Sequence, residues 1–375
     1  MDRPPAASDT VRIPVWDGGV RLFHWTLLGA VGIALATGLL SHILWLRLHL
    51  IAGVAVAPLL LWRLIWGGLG SRHARFADFA YSPRAVLADL RARLAGRHRL
   101  YLGHNPLGAM MVFALLAVLA ALLASGTLAL GGMLKQGPLA FALSYATGRA
   151  VLGWHKILGW ALLGMILAHL GGVIEESWRG RQNLVGAMIT GKKRAAAAMA
   201  QRKLAARTGL ALGLFAVLAV LGAGGVVALA RLPGRGVPPA TQDPVYAEQC
   251  GACHMPYPPE LAPAAVWQAL LDDLQHHFSA DASMSSALVA HIRTYLLANA
   301  AEHWDTLPAW SFRARDPADP VRLTATPFWK RRHARIPAAV FANAKIGGRS
   351  QCDACHRDAT TGRFAPQAIH VPVAW

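Results

Sequence analysis

The sequence predicts an all-α membrane protein: a four-helix transmembrane bundle, a fifth transmembrane helix, and a mostly α, loop-rich domain outside the bilayer. Three observations lead there. Of 375 residues, 55% are hydrophobic and 15% charged, and a mean hydropathy of +0.37 is too apolar for an ordinary soluble domain. Five apolar runs each approach the ~20 residues that a hydrocarbon core requires. All four cysteines fall in the last third of the chain, in two identical spacings.

The apolar runs cover approximately residues 22–41, 48–66, 107–130, 151–174 and 208–230. Between the second and third lie Arg72, Arg75, Arg84, Arg91, Arg93, Arg97 and Arg99; between the fourth and fifth lie Arg179, Arg181, Lys192, Lys193, Arg194, Arg202 and Lys203. The other two connections offer only Arg47, then Lys135 and Arg149. With Arg207 just before the fifth run, fifteen basic residues against three put the N-terminus and both rich loops in the cytoplasm. Five crossings then place everything after residue 231 outside. The formal net charge of +18 follows from this asymmetry: residues 1–231 hold 24 Lys+Arg against 7 Asp+Glu, and the remainder 13 against 12. No nucleic-acid-binding motif accompanies the charge, and none is expected to be served by it.

The expected divisions are a four-span membrane domain over 1–206, the fifth helix over 207–231, a linker over 232–243 and an outer domain over 244–375. "RLPGRGVPPATQDP" (231–244), rich in Pro and Gly, carries the linker. "KKRAAAAMAQRKLAAR" followed by an apolar run and "ALA" (228–230) has the layout of an internal signal, with cleavage after Ala230 as the alternative to retention as an anchor. Retention is the expectation. In the outer domain, "PAAVWQALLDDLQHHF" (263–278) and "SSALVAHIRTYLLANAAEHW" (285–304) have helical spacing of apolar residues, and strand patterns are scarce.

The cysteines form "CGACH" (250–254) and "CDACH" (352–356). C-x-x-C-H is the attachment signature of c-type haem, in which Cys250 and Cys253, then Cys352 and Cys355, bond the porphyrin vinyl groups while His254 and His356 reach the iron. Zinc would bring paired knuckles about 15–20 residues apart, whereas 98 residues intervene here. Two disulfides would leave the adjacent histidines unexplained. For the opposite face of each iron, His276, His277, His291, His303, His333, His370, Met255 and Met284 are all available.

"QCGACHMPYPPELAPAAVWQALLDDLQHHF", "PVRLTATPFWKRRH" and "CDACH" resemble the dihaem cytochrome c family over about residues 244–372. The resemblance implies His277 as the second ligand of the first haem and His333 as that of the second, with His291 as the substitute. It also implies a membrane cytochrome b and a soluble haem protein as companions.

Ionisable side chains inside a span mark function, and "WHKILGWALLGMILAHLGG" (154–172) holds two. Fourteen residues separate His155 from His169, so they share a helix face about 21 Å apart along the axis. That distance suits two stacked haems rather than one metal. His24 stands level with His169 toward the cytoplasm, and His49 level with His155 toward the outside, which pairs His24 with His169 and His49 with His155. "HLIAG" (49–53) and "HKILG" (155–159) both place Gly one turn beyond the histidine, leaving room for a flat macrocycle. His42 shares the face of His24 but reads as a solvated interfacial residue. Arg63 snorkels or pairs with a haem propionate, snorkelling being the expectation. Trp45, Trp62 and Trp66 read as interfacial belts.

"RLFHW" (21–25), "WRLIWGGLGSRHARFADF" (62–79) and "ESWRGRQNLVGAMITGKKR" (176–194) resemble the bacterial cytochrome b561 family, which includes nickel-hydrogenase cytochrome b subunits, over residues 10–195. The resemblance implies four helices and two b haems held by histidines on the first, second and fourth, where His24, His49, His155 and His169 fall. The chain departs from that family in its fifth span and dihaem tail.

Four haems along one chain, two b and two c, imply an electron wire between a quinone pool and a periplasmic haem protein. The setting is a multi-pass protein of the bacterial inner membrane, with its haem c domain periplasmic. Two histidines per iron leave no open position for gas or peroxide, favouring electron carriage, at most as a quinol:cytochrome c-type oxidoreductase, over haem catalysis. The competing expectations are a quinone-reducing cytochrome b subunit of a hydrogenase or dehydrogenase complex, and a haem-based gas sensor. A homo-oligomer is compatible with all three.

Overall fold

The structure, a computed structural model, describes residues 10–40, 45–97, 99–199 and 205–373. His42, Arg202 and Lys203 lie outside the described residues. The chain divides into two compact units, one of Met1–Gly126 with Leu152–Gly225, the other of Thr127–Val151 with Val226–Trp375.

The first unit opens with β1 (Thr10–Pro14), then α1 (Gly18–Leu39), α2 (Leu46–Leu69), the short α3 (Pro83–Leu94) and most of α4 (Pro106–Met133). After the hairpin that belongs to the second unit, α5 (Tyr145–Arg179) returns, followed by α6 (Leu184–Thr190), β2 (Lys192–Ala196) and α7 (Thr208–Ala230). The five long helices, α1, α2, α4, α5 and α7, are each long and apolar enough to cross a bilayer. This is a multi-pass membrane architecture. Val54, Ile174 and Val220 stand about two-thirds exposed on helix surfaces, which is where lipid replaces a protein core. Inside the bundle, Val31, Val56, Leu60, Leu119 and Leu162 from four helices interlock.

Helix ends follow local chemistry. Asp17 accepts from the Val20 amide at 2.8 Å and starts α1 four residues before the apolar run begins. The same carboxylate accepts from the Trp66 indole and the Ser71 hydroxyl, so it also fixes the end of α2. Ser82 with Pro83 starts α3, and Asn105 with Pro106 starts α4 through the Gly108 amide at 2.7 Å. Arg93 on α3 meets Asp89, Glu175 and Glu176, holding the short helix against the end of α5.

One element departs from the all-α expectation. β1 and β2 pair antiparallel, from Thr10 opposite Ala196 to Pro14 opposite Lys192. Ile13, Val15, Leu102 and Ala195 bury its inner face. In "KKRAA" the inward positions are Lys193 and Ala195, so the period-two hydrophobic pattern that announces a strand is missing.

The second unit comprises the α4–α5 hairpin and helices α8 (Pro244–Cys250), α9 (Ala264–Asp272), α10 (Ser286–Ala298), α11 (Leu307–Ser311), α12 (Pro327–His333) and α13 (Ala338–Phe341). Short 3-10 turns and loops fill the rest. The expected helix over 263–278 breaks at Asp273, whose φ of −136° is non-helical. One lobe is centred on Tyr246, Trp267, Leu271, Ile292 and Leu296. The other is built on Leu261, Phe312 and Trp329.

The stretch expected as a linker has no helix, yet it is tied down: the Arg235 amide donates to Ala140 O at 2.9 Å, and Gly236 O accepts from the Asp305 amide at 2.8 Å. Gly236 sits at φ +63°, where a Cβ would strike Asp305. The Asp305 carboxylate then accepts from the Lys135 ammonium (2.9 Å), the Tyr145 amide (2.8 Å) and the Trp310 indole (2.9 Å). It thereby caps the start of α5 and joins the hairpin to the C-terminal domain.

Candidate haem-binding sites

An imidazole nitrogen bonds a transition metal at about 2.0 Å and its ring centre lies about 1.1 Å further back, so two imidazoles on opposite faces of one iron have centres about 6.2 Å apart. Three histidine pairs stand at that separation. His49 and His155 are 6.1 Å apart, His254 and His277 6.2 Å, and His333 and His356 6.2 Å.

At the first pair, α2 supplies His49 and α5 supplies His155. His49 Nδ1 donates to Ala34 O at 2.9 Å, with the Thr37 hydroxyl at 3.3 Å. Ser125 donates its own proton to Ala121 O at 2.7 Å, so at 3.0 Å it accepts from His155 Nδ1. Both protons are thus placed on Nδ1, leaving Nε2 as the free lone pair. Beside each ring stands a glycine: a Cβ on Gly38 or Gly126 would lie 3.1 Å from the His49 or His155 ring. Gly53 and Gly159, by contrast, have nothing within 4 Å of a built Cβ. They leave open space, while the contacts that hold the rings come from Thr37-Gly38 on α1 and Ser125-Gly126 on α4. A hydroxyl residue followed by glycine inside an apolar helix was the readable signal for both.

His24 on α1 and His169 on α5 lie within electrostatic range of each other. They make no ring contact of the kind seen at the other three pairs. His24 Nδ1 is buried without a hydrogen-bond partner. Arg63 does not snorkel: it is 4% exposed and donates to Ala74 O at 3.1 Å.

In the second unit, α8 ends at Cys250, and the following turn presents His254, whose Nδ1 donates to Met255 O at 2.8 Å. The Tyr257 ring packs against it at 5.0 Å. His277 follows the break in α9 beside a cleft lined by Leu270, Phe278 and Val321. Burial, then the neighbouring His254, lowers the pKa of His277 and favours the neutral, ligating imidazole. Cys352 begins a 3-10 turn that leads to His356, which faces His333 at the end of α12. His333 Nδ1 donates to Trp329 O at 2.9 Å, and the indole stacks on the ring at 4.4 Å. His356 Nδ1 is buried and unpartnered. Burial lowers the pKa of both His333 and His356.

The four cysteines form no disulfide with one another. Burial pushes Cys250 up to about 11 and Cys352 up to about 12. Among the described residues, no three His, Cys, Asp or Glu side chains converge as a metal-ion site. The donors come in pairs, which suits an iron whose other four ligands belong to a porphyrin.

Of the remaining candidates, His291 bonds Asp243 at 3.1 Å and His276 bonds Asp273 at 2.7 Å, both on exposed side chains turned to their own neighbours. His303 and His370 are exposed. Met284 packs into the first lobe, and Met255 contributes its carbonyl to His254.

Two family profiles match the chain, "Prokaryotic cytochrome b561" over residues 15–191 and "Dihaem cytochrome c" over 246–364. A protein of Bradyrhizobium diazoefficiens named "Probable Ni/Fe-hydrogenase B-type cytochrome subunit" is 25% identical, covering 48% of this chain and 85% of its own length. A protein of Cupriavidus necator with the same name is 24% identical, over 47% and 85%. Among solved structures, the dihaem cytochrome c of Rhodobacter sphaeroides is 37% identical, covering 33% of this chain and 97% of that one, with a TM-score of 0.29. That of Shewanella baltica is 33% identical over 35% and 94%, also at 0.29.

Proposed function

We propose that this chain, a prokaryotic cytochrome b561 domain joined to a dihaem cytochrome c domain, conducts electrons across a bacterial inner membrane between the quinone pool and a periplasmic haem protein. Haems of the b and c types supply one-electron redox centres; the chain supplies their ligands, spacing and surroundings. His24 with His169 and His49 with His155 hold two b haems. His254 with His277 and His356 with His333 hold two c haems, attached through Cys250 and Cys253 and through Cys352 and Cys355.

The observation that carries this proposal is the recurrence of histidine pairs at 6.1–6.2 Å in both domains. Two imidazoles per iron favour electron carriage over binding of small gases. Hydrogen bonds at Nδ1 of His49, His155, His254 and His333 fix the tautomer and tune ligand basicity. The N-terminus is assigned to the cytoplasm and the haem c domain to the periplasm, from the concentration of basic residues in alternate connections.

Pyridine haemochrome quantitation on the purified protein tests the assignment. Two b and two c haems per chain are expected, and any other stoichiometry refutes it. Carbon monoxide should leave the reduced spectrum unchanged; a large shift would mean an open iron position.

The hydrogenase-type names of the two relatives favour a second reading, in which the b561 domain is the quinone-reducing subunit of a hydrogenase or dehydrogenase complex. Co-purification with a metal-cluster subunit would support it over the first.

A further inference from the structure

Beyond the histidine pairs, the first unit buries a group of cationic and imidazole side chains with little acid to neutralise them. Arg63 and Lys193 are only 4% and 8% exposed. Arg63 donates to Ala74 O and lies 4.4 Å over the Phe76 ring. Lys193 donates to Gly103 O at 3.3 Å and stands 5.5 Å from the Trp16 ring. Neither forms an ion pair among the described residues. His104 is clamped between Trp16 at 4.8 Å and Phe79 at 4.4 Å, and its buried Nδ1 has no hydrogen-bond partner. It interacts electrostatically with Arg63, Lys193, His73 and His169, which places all of them in one neighbourhood.

The carboxylates of this region are already engaged. Asp17 serves Val20, Trp66 and Ser71; Asp78 serves His73 and Arg72; Glu176 serves Arg93 and Asn105. Asp17 reaches Arg63 and Glu176 reaches Lys193 only electrostatically, without direct ion pairing; buried cations so weakly neutralised are disfavoured and call for a further anion. A haem held through His169 brings two carboxylates of its own.

We propose that Arg63, Lys193 and His104 form a carboxylate-binding pocket for the propionates of the haem held by His24 and His169, and that the two cations raise that haem's reduction potential. This rests on the ligand assignment proposed above. Arg63 offers planar, paired N–H donors and Lys193 a point charge. Burial, then Arg63 and Lys193, pushes the pKa of His104 down to about 3, so it takes part as a neutral imidazole. Removing a cation near the iron makes the extra electron less welcome and loosens the hold on the propionates.

The test is redox titration of the full-length, haem-loaded protein at fixed pH, comparing wild type with Arg63→Gln, Lys193→Gln, Arg63→Lys and Lys193→Arg. Haem stoichiometry is measured in parallel, and the inner haem is identified by its loss in His169→Ala. Each neutral variant should cut that haem's reduction equilibrium about tenfold, a fall of about 59 mV, while the other three haems keep their potentials. The charge-conserving variants should stay close to wild type. Selective loss of the inner haem in the neutral variants alone, with the outer b and both c haems retained, also supports the pocket. An unchanged inner potential in both neutral variants overturns it, as does an equal shift of both b haems. Retention of two b haems in His169→Ala refutes the ligand assignment instead.

Discussion

Gly126 shows how far a single missing methyl group reaches. A Cβ there would press on the His155 ring at 3.1 Å, so Gly126→Val should displace the imidazole and prevent haem binding at this pair. Haemochrome analysis should find one b haem per chain instead of two, with both c haems intact. Glu260 gives a different residue-scale expectation. It is 2% exposed, and burial raises its pKa from 4.5 to about 7. Since the folded value lies above the unfolded one, ionisation disfavours the fold. Stability is therefore fully present below about 4.5 and is lost as pH rises to about 7, by about 3 kcal/mol. Glu260→Gln should flatten the pH dependence of the domain's melting temperature over this window and raise it at pH 8. Residues differ in how legible they are in the sequence. The C-x-x-C-H histidines announce themselves by spacing, whereas Gly126 is one of 36 glycines and matters only because α5 presents His155 beside it.

Among elements, the α4–α5 hairpin has the most to explain. Its Lys135, at φ +52°, is buried and paired with Asp305, 170 residues away in sequence. Such a contact follows from no local pattern. Asp305→Ala would leave the ammonium with Leu143 O alone among its two observed partners, and would uncap α5 at Tyr145. A loss of about 2–3 kcal/mol is expected for a partly buried pair of this kind. Protease cleavage within residues 232–243 should rise at least tenfold while both c haems remain attached, as read by haem-stained gels. Composition alone predicts a linker there, because Pro and Gly are frequent in tethers; the hydrogen bonds of Arg235 and Gly236 fasten it. The β1–β2 ribbon carries no sequence signal for a related reason, the buried positions of β2 being lysine and alanine. The five spans were legible because lipid demands a continuous apolar run, a constraint written wholly in local sequence.

For the molecule as a whole, the proposed ligation gives the two ends of α5 separable duties. His155→Ala should remove one b haem and prevent quinol from reducing the c haems in stopped-flow experiments. His169→Ala should remove the other b haem and spare the outer pair at His49 and His155. Loss of both b haems in either variant would mean that the bundle cannot fold with one site empty.

The sequence by itself determined the helical class, the five runs long and apolar enough to cross a bilayer, the two C-x-x-C-H motifs and which histidines fall within the apolar runs. Each is a local or periodic signal: hydrophobic length, C-x-x-C-H spacing, and the cost of an ionisable side chain in lipid. Only the tertiary structure decided which side chains support those histidines, how the hairpin is fastened to Asp305, and that Arg63, Lys193 and His104 gather in one buried place. Those outcomes depend on residues from distant segments meeting in space, where packing and unneutralised charge, rather than any run of neighbours, set the energy.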